Sequence, residues 1–293
     1  MLAEGRVAAV VVTFHPRTEY LQHIANIGAQ VDVLIVVDNG SSEDELSELR
    51  FASRRAHFEL IENGANLGIA AALNRGVLEA QRRECHWVAL FDQDSAITDG
   101  FIQTMIHEFE EFGKRRKIMQ IIPRYRDPET GLERPISAFA DGGAFLTITS
   151  GSLFSMKAFE KCGLFKEELF IYCVDDDYSL RIRKGGFFIG VSKNAVLVHQ
   201  SGHPTSRRLF GMTFTTKNYR PEIRYYYARN KIWILRTYGV AFPRLILPTL
   251  REFVTIVLKI ALIEDSAWRK INLFLYGLLD GVTGRMGPLK LAE

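Results

Sequence analysis

Along the first 125 residues, apolar runs of strand length alternate with stretches whose apolar positions recur at helical spacing. Val7 to Phe14 and Val31 to Val37 are continuous and β-branched, as strands buried on both faces are. Phe58 to Ile61 and Trp87 to Phe91 read as two more strands. Between them, Glu19 to Ala29 carries Leu21, Ile24 and Ile27 at helical spacing. Gly68 to Arg83 is an Ala/Leu-rich helix, and Phe101 to Lys114 is another. Ser41 or Ser42 caps a further helix that has Asp44 and Glu45 in its first turn. Repeated β-α-β spacing predicts an α/β chain with a mostly parallel sheet and helices on both faces. After about residue 139 the pattern is mixed, with a helix starting at Met156. Asp175, Asp176 and Asp177 open another helix, at the end where its dipole favours negative charge, and Gly185-Gly186 can close it. Phe187 to Val191 and Ala195 to Val198 read as strands, the second stopping at His199.

Ligands of such sheets bind beyond the carboxyl ends of the strands. Three polar clusters fall there: Thr13-Phe14-His15-Pro16, Asp38-Asn39-Gly40 and Asp92-Gln93-Asp94. Side chains two apart on an extended strand project to one side, so Asp92 and Asp94 are expected to converge. Two carboxylates held together call for a positive partner, and a divalent metal, hydroxyls or both would serve.

Composition changes the picture in two respects. Cys85, Cys162 and Cys173 are scattered, without zinc-site spacing or a disulfide framework, which favours a reducing compartment. Met1 to Arg6 has no secretory signal pattern, so the expected location is cytoplasmic. The net charge of +3 hides an asymmetry: from Thr205 onward there are 15 Lys/Arg against 6 Asp/Glu, and the rest of the chain is acidic. An acidic body and a basic C-terminal region suggest separate tasks.

VVVTFHP, VVDNGSS, NLGIAAALNRG, LFDQDS, ELFIYCVDDDYSLR and VHQSGH, in that order, resemble glycosyltransferase family 2, and most closely its bacterial rhamnosyltransferases. The resemblance covers roughly residues 7 to 237 and rests on six ordered blocks, each weak alone. It implies a GT-A fold, a nucleotide-diphosphate sugar donor and inversion at the anomeric centre. It also implies a division into a catalytic domain over 1–204 and a basic, largely helical region over 205–293. Within the first, the donor half is about 1–125 and the acceptor half about 126–204.

Through the resemblance Asp92 meets the nucleotide ribose or the metal, and Asp94 binds Mg²⁺ or Mn²⁺, hard cations suited to carboxylate and phosphate oxygens. Asp38 would bond the nucleotide base with Thr13 and Asn66 nearby, although a turn or capping role also accounts for it. His15 reads equally well as a surface loop residue. Asp175 matches the family's general base, with Val174 in place of the usual Glu, a replacement the rhamnosyl branch shares. Asp177 matches the second acid, expected to support the base or the acceptor, and Asp176 falls at the variable, exposed position. The branch often has an acid where Tyr172 stands, a departure that bears on the acceptor. His199, in preference to His203, would complete the metal shell.

The expected reaction is transfer of L-rhamnose from dTDP-L-rhamnose to a bacterial surface glycan, carried on a lipid. The competing readings are a sugar-nucleotide nucleotidyltransferase and a non-catalytic glycan-binding protein. The first needs a Gly-rich basic loop after the first strand, and the chain has Thr13-Phe14-His15-Pro16 there. RYYYARNKIWILR interleaves Arg and Tyr, but without an RNA-binding signature on an acidic body no nucleic-acid partner is expected. From Val240 to Ile263 an apolar stretch, which opens a helical unit running from about Arg244 to Lys290, is broken by Arg244, Arg251, Glu252, Lys259 and two prolines, against a spanning helix. It suits either an interfacial helix at the inner face of the cytoplasmic membrane, or a helical subdomain or homo-oligomer face.

Overall fold

The computed structural model describes residues 5–127, 131–133, 135–136, 141–198, 205–209 and 212–290. The chain divides into two compact units: Met1–Glu167 with Asp175–Gln200, and Glu168–Val174 with Ser201–Glu293.

The first unit is a sheet flanked by helices. In chain order it runs β1 (Val7–Thr13), α1 (Tyr20–Gly28), β2 (Val33–Asp38), α2 (Glu43–Ala56), β3 (Glu59–Glu62), α3 (Ile69–Arg82), β4 (Trp87–Asp92) and α4 (Phe101–Gly113). It continues with β5 (Ile118–Arg126), β6 (Ser152–Ser155), α5 (Met156–Cys162), α6 (Val174–Lys184, its first residue in the second unit) and β7 (Phe188–Val198). The strand order is β3-β2-β1-β4-β6-β5-β7. β1 pairs in parallel with β2 and β4, β2 with β3, and β5 with β7. β6 runs antiparallel to both neighbours. Every residue of β1 and β2 is buried, as their unbroken apolar runs require. This is the expected α/β, GT-A-type architecture of a mostly parallel sheet.

Three local differences from the sequence reading have physical causes. The helix after β2 is capped by Ser42 alone, in a reciprocal capping box with Glu45. β6 is only four residues long, with serine at both ends, so no periodicity announces it. The two strands expected near residues 187–198 are one, β7, whose register against β5 shifts between Ile122 and Arg124. Pro123 lies at that shift and cannot donate to the ladder. On β7, Ser192 accepts from the Ala195 amide at 2.8 Å, and Glu108 of α4 accepts from the Lys193 amide at 2.8 Å.

The second unit contains an antiparallel hairpin, β8 (Thr205–Leu209) and β9 (Met212–Thr216), then α7 (Pro221–Tyr238), α8 (Ile246–Ile263) and α9 (Ala267–Thr283). α9 lies close on α7 because Gly277 and Gly281, one turn apart, face it. A Cβ on Gly281 would stand 2.7 Å from the Arg229 carbonyl oxygen. Phe253 of α8 meets Phe274 of α9 edge to face at 5.5 Å. A buried cluster closes the start of α9: Glu264 accepts from Lys270 at 2.9 Å, from the Thr216 hydroxyl at 2.6 Å and from Arg224. Among the described residues no helix is long and apolar enough to cross a membrane.

Candidate active site

Parallel pairing brings the polar strand ends together. Thr13 of β1 stands opposite Asp38 of β2, and Val12 opposite Asp92 of β4. The three clusters expected at this edge are therefore adjacent.

Asp38 is fully buried and its carboxylate organises the loop that follows. It accepts from the amides of Gly40 and Ser41 at 3.2 and 3.0 Å, from the Ser41 hydroxyl, and from Thr13 Oγ1 at 3.4 Å. Its turn role is thus realised. Gly40 has φ +98° with the backbone of Ala65 and Asn66 directly against it, so neither the dihedral nor the space suits a side chain. Asn39 ties in the third loop: its Nδ2 donates to Asn66 Oδ1 at 3.1 Å, and its Oδ1 accepts from Asn63 Nδ2 at 2.9 Å. Asn66 Oδ1 also accepts from the Gly68 amide at 3.0 Å, where α3 begins. Asn66 itself is exposed.

β4 ends at Asp92. The chain then turns, the Ser95 amide donating to the Asp92 carbonyl at 3.1 Å. Asp94 is on that turn, so strand alternation does not set its direction as the sequence reading supposed. The turn is fixed from two sides. Gln93 exchanges bonds with the Phe14 backbone, accepting at 2.9 Å and donating at 3.3 Å. Ser150 Oγ, buried, lies 2.6 Å from Ser95 Oγ and accepts from the Asp92 amide at 3.3 Å. Ala96 then forms an antiparallel bridge with Val198, the last residue of β7. The chain segment that follows Asp94 is thereby paired with the one that leads to His199. His199 itself lies outside the described residues, as does His203.

His15 is exposed and its Nδ1 lies 2.8 Å from Glu45. Bonds from Ser42 and then His15 hold the Glu45 carboxyl down to about 2. The His15 ring is thus engaged with the start of α2, in keeping with the loop reading.

Asp175 opens α6, partly exposed, with its Oδ1 accepting from the Asp176 amide at 3.0 Å. A buried polar chain fastens this turn to the sheet. Ser179 donates to the Asp175 carbonyl at 2.9 Å and pairs with Thr147 at 2.8 Å, and Gln120 of β5 donates to Thr147 and Ser152 at 3.1 Å each. Asp177 behaves differently. It is 1% exposed and bound by Arg181, whose Nη1 also donates to the carbonyls of Cys162 and Leu164. It braces α6 against the loop after α5, which leaves little of it for a substrate to touch. Asp176 is half-buried.

Sequence reasoning missed several of these positioning groups: Ser95, Ser150, Gln120, Thr147 and Ser179. The one signal was the Thr149-Ser150-Gly151-Ser152 cluster. The segment before Asp175 was missed as well. Phe170, Tyr172 and Cys173 all have positive φ, at 64°, 66° and 58°. Within the second unit, Asn230 Nδ2 donates to the carbonyls of Leu169, Ile171 and Tyr172 at 2.9, 2.8 and 2.8 Å, and Arg229 Nη2 to that of Leu169 at 3.0 Å. Those bonds hold a backbone that L residues seldom adopt.

Among the described residues no three His, Cys, Asp or Glu side chains gather as a metal-ligand set. The carboxylates of Asp92 and Asp94 remain the right donor chemistry for a hard divalent cation.

Comparison with known proteins bears on the fold and the family. The chain is 28% identical over 301 residues to a dTDP-rhamnosyl transferase, RfbF, of Shigella flexneri, covering 97% of both chains. It superposes on the mannosyltransferase PcManGT of Pyrobaculum calidifontis with a TM-score of 0.56 at 15% identity, covering 98% of this chain and 77% of that one. It superposes on GalNAc-T7 with a TM-score of 0.58 at 12% identity, covering 80% of this chain and 48% of that chain's length. The model of glycosyl transferase family 2 matches residues 10–163, more than half of the chain, and the chain belongs to that family.

Proposed function

We propose that this glycosyltransferase moves L-rhamnose from dTDP-L-rhamnose to a bacterial surface glycan carried on a lipid, with inversion at the anomeric carbon. The observation that carries the reading is the alignment of Thr13, Asp38 and Asp92 at one sheet edge, in a chain similar along its whole length to a dTDP-rhamnosyl transferase. The nucleoside end of the donor lies along that edge, against Thr13, the Asp38 loop and Asn66, with Asp92 toward the ribose.

Asp175 takes the proton from the acceptor hydroxyl as the hydroxyl oxygen attacks the anomeric carbon. The bond to the diphosphate oxygen breaks on the opposite face, and the nucleoside diphosphate departs. A carboxylate at this place can accept the proton of a hydroxyl that attacks beside it. Ser179 and Thr147 hold that helical turn in place. Asp94 and His199 would hold Mg²⁺ or Mn²⁺, which when bound neutralises charge on the departing diphosphate. Two structural neighbours, PcManGT and GalNAc-T7, were crystallised with Mn²⁺.

The test is a panel of sugar nucleotides with Mn²⁺, read by thermal shift and by release of nucleoside diphosphate on adding rhamnose-containing glycan acceptors. dTDP-L-rhamnose should bind and turn over, with the anomeric configuration of the product opposite to that of the donor. Preference for a UDP- or GDP-sugar would overturn the donor assignment and leave the enzyme class standing.

A further inference from the structure

α8 is apolar on two sides. Its inward side, Thr249, Phe253, Ile260 and Ile263, is buried. Its outward side carries Leu247, Leu250, Val254, Leu258 and Leu262, each between 48% and 61% exposed. Spacings of three and four residues place these five on one stripe along the helix. α9 repeats the pattern, with Leu273, Phe274, Gly277 and Gly281 inward and Trp268, Leu275, Leu279 and Val282 outward. Trp268 is 77% exposed and Tyr276 62%. Water-exposed helices keep such faces polar, and apolar stripes of this extent mark an interaction surface.

The charges decide the partner. Arg251 is exposed and follows Leu250 on the outward stripe, and exposed Arg244 precedes the helix. Arg285 and Lys290 are exposed around the end of α9. The acids of this region are largely matched: Glu264 lies buried between Arg224 and Lys270, Asp280 accepts from the Tyr225 hydroxyl at 2.7 Å, and Asp265 from Asn218 at 3.0 Å. Glu252 stands on α8 away from the stripe. A second copy of the chain, brought up on a two-fold axis, would present the same stripe, which carries Arg251 and no acid. An anionic lipid surface offers the opposite sign, and exposed Trp and Tyr are residues that settle at the lipid–water boundary. Neither helix can span a bilayer, so the stripe lies in the interface.

We infer that the outward stripes of α8 and α9 seat the chain on an anionic lipid membrane, with Arg244 and Arg251 among the basic residues that meet the headgroups. This surface involves none of the residues assigned to donor binding or to the reaction, so it stands whatever sugar the enzyme transfers.

Flotation with vesicles of phosphatidylcholine alone, and with about a third phosphatidylglycerol, tests it using the full chain and Val254→Asp/Leu258→Asp. Both substitutions are at exposed positions, and an unchanged circular dichroism spectrum and dTDP binding verify the variant's fold. The wild type should float with the anionic vesicles, less so at high salt. The variant's partition should fall by about a hundredfold or more, since it removes two exposed aliphatic residues, each worth about one decade when seated in lipid. Arg251→Glu should weaken anionic but not zwitterionic binding. Equal flotation of wild type and double variant would overturn the inference. So would a wild-type dimer in light scattering that the same double variant converts to monomer.

Discussion

Replacing Asp177 with Asn keeps the shape of the side chain and removes its charge. The carboxylate is buried, and Arg181 reaches one of its oxygens through Nε at 2.9 Å and Nη2 at 2.8 Å. The same guanidinium donates to the Cys162 and Leu164 carbonyls at 2.6 and 2.8 Å and stands 4.8 Å from the Tyr178 ring centre. Removing one partner of a buried pair strands the other charge, at a typical cost of about 3–5 kcal/mol. Arg181 would keep its two carbonyls and the ring, and its side chain is 23% exposed, so the lower end of that range, ~3 kcal/mol, applies. At about 2–4 °C per kcal/mol for a unit of this size, the first unit should melt roughly 6–12 °C lower. Thermal unfolding of the wild type, Asp177→Asn, Arg181→Met and the double variant measures it. The double variant should lose less than the sum of the singles, because it leaves no lone charge. Transfer measured well below the melting range should stay close to wild type. An unchanged melting temperature with transfer reduced a hundredfold would refute the bracing role and put Asp177 against the acceptor.

Asp175→Asn should retain donor binding while transfer falls by about two decades or more, as for loss of a positioned base; single-turnover kinetics at saturating donor checks this. Asp94→Ala should abolish the Mn²⁺-dependent part of dTDP binding in calorimetry while the melting temperature holds. Asn230→Ala removes the donor to three carbonyls of the Glu168–Val174 segment from a fully buried position. It should cost about 2–4 kcal/mol and speed hydrogen exchange of that segment's amides. Burial acts to raise the Glu264 carboxyl, but Thr216, Lys270 and Arg224 more than offset this and hold it below the ordinary 4.5. A depressed carboxyl stabilises the fold above its unfolded value, and that contribution is lost as pH falls through the folded one. Melting curves between pH 7 and 3 should therefore show an acid-side loss that Glu264→Gln reduces.

Much of the fold was legible along the chain. β1, β2 and β4 are unbroken apolar runs because a strand buried on both faces needs no polar side, and each ends on a polar residue at the carboxyl edge of the sheet. Parallel pairing puts those ends side by side, so Thr13, Asp38 and Asp92 could be named together before any coordinates. The acids opening α6 were equally visible, since a helix start selects them locally. Tertiary structure decided what surrounds each acid. Asp38 read as a ligand contact or a turn residue, and its carboxylate is engaged by the Thr13 and Ser41 hydroxyls and two loop amides. Asp177 differs from Asp175 only by two positions, but half a helical turn moves one carboxylate from the partly exposed side to the Arg181 side. The Ser95–Ser150 contact joins residues 55 apart, and the left-handed segment before Asp175 is held by Asn230, 58 to 61 positions away. Local periodicity carries the face an element buries; it carries nothing about bonds between distant segments, and within each unit those bonds fix the loops.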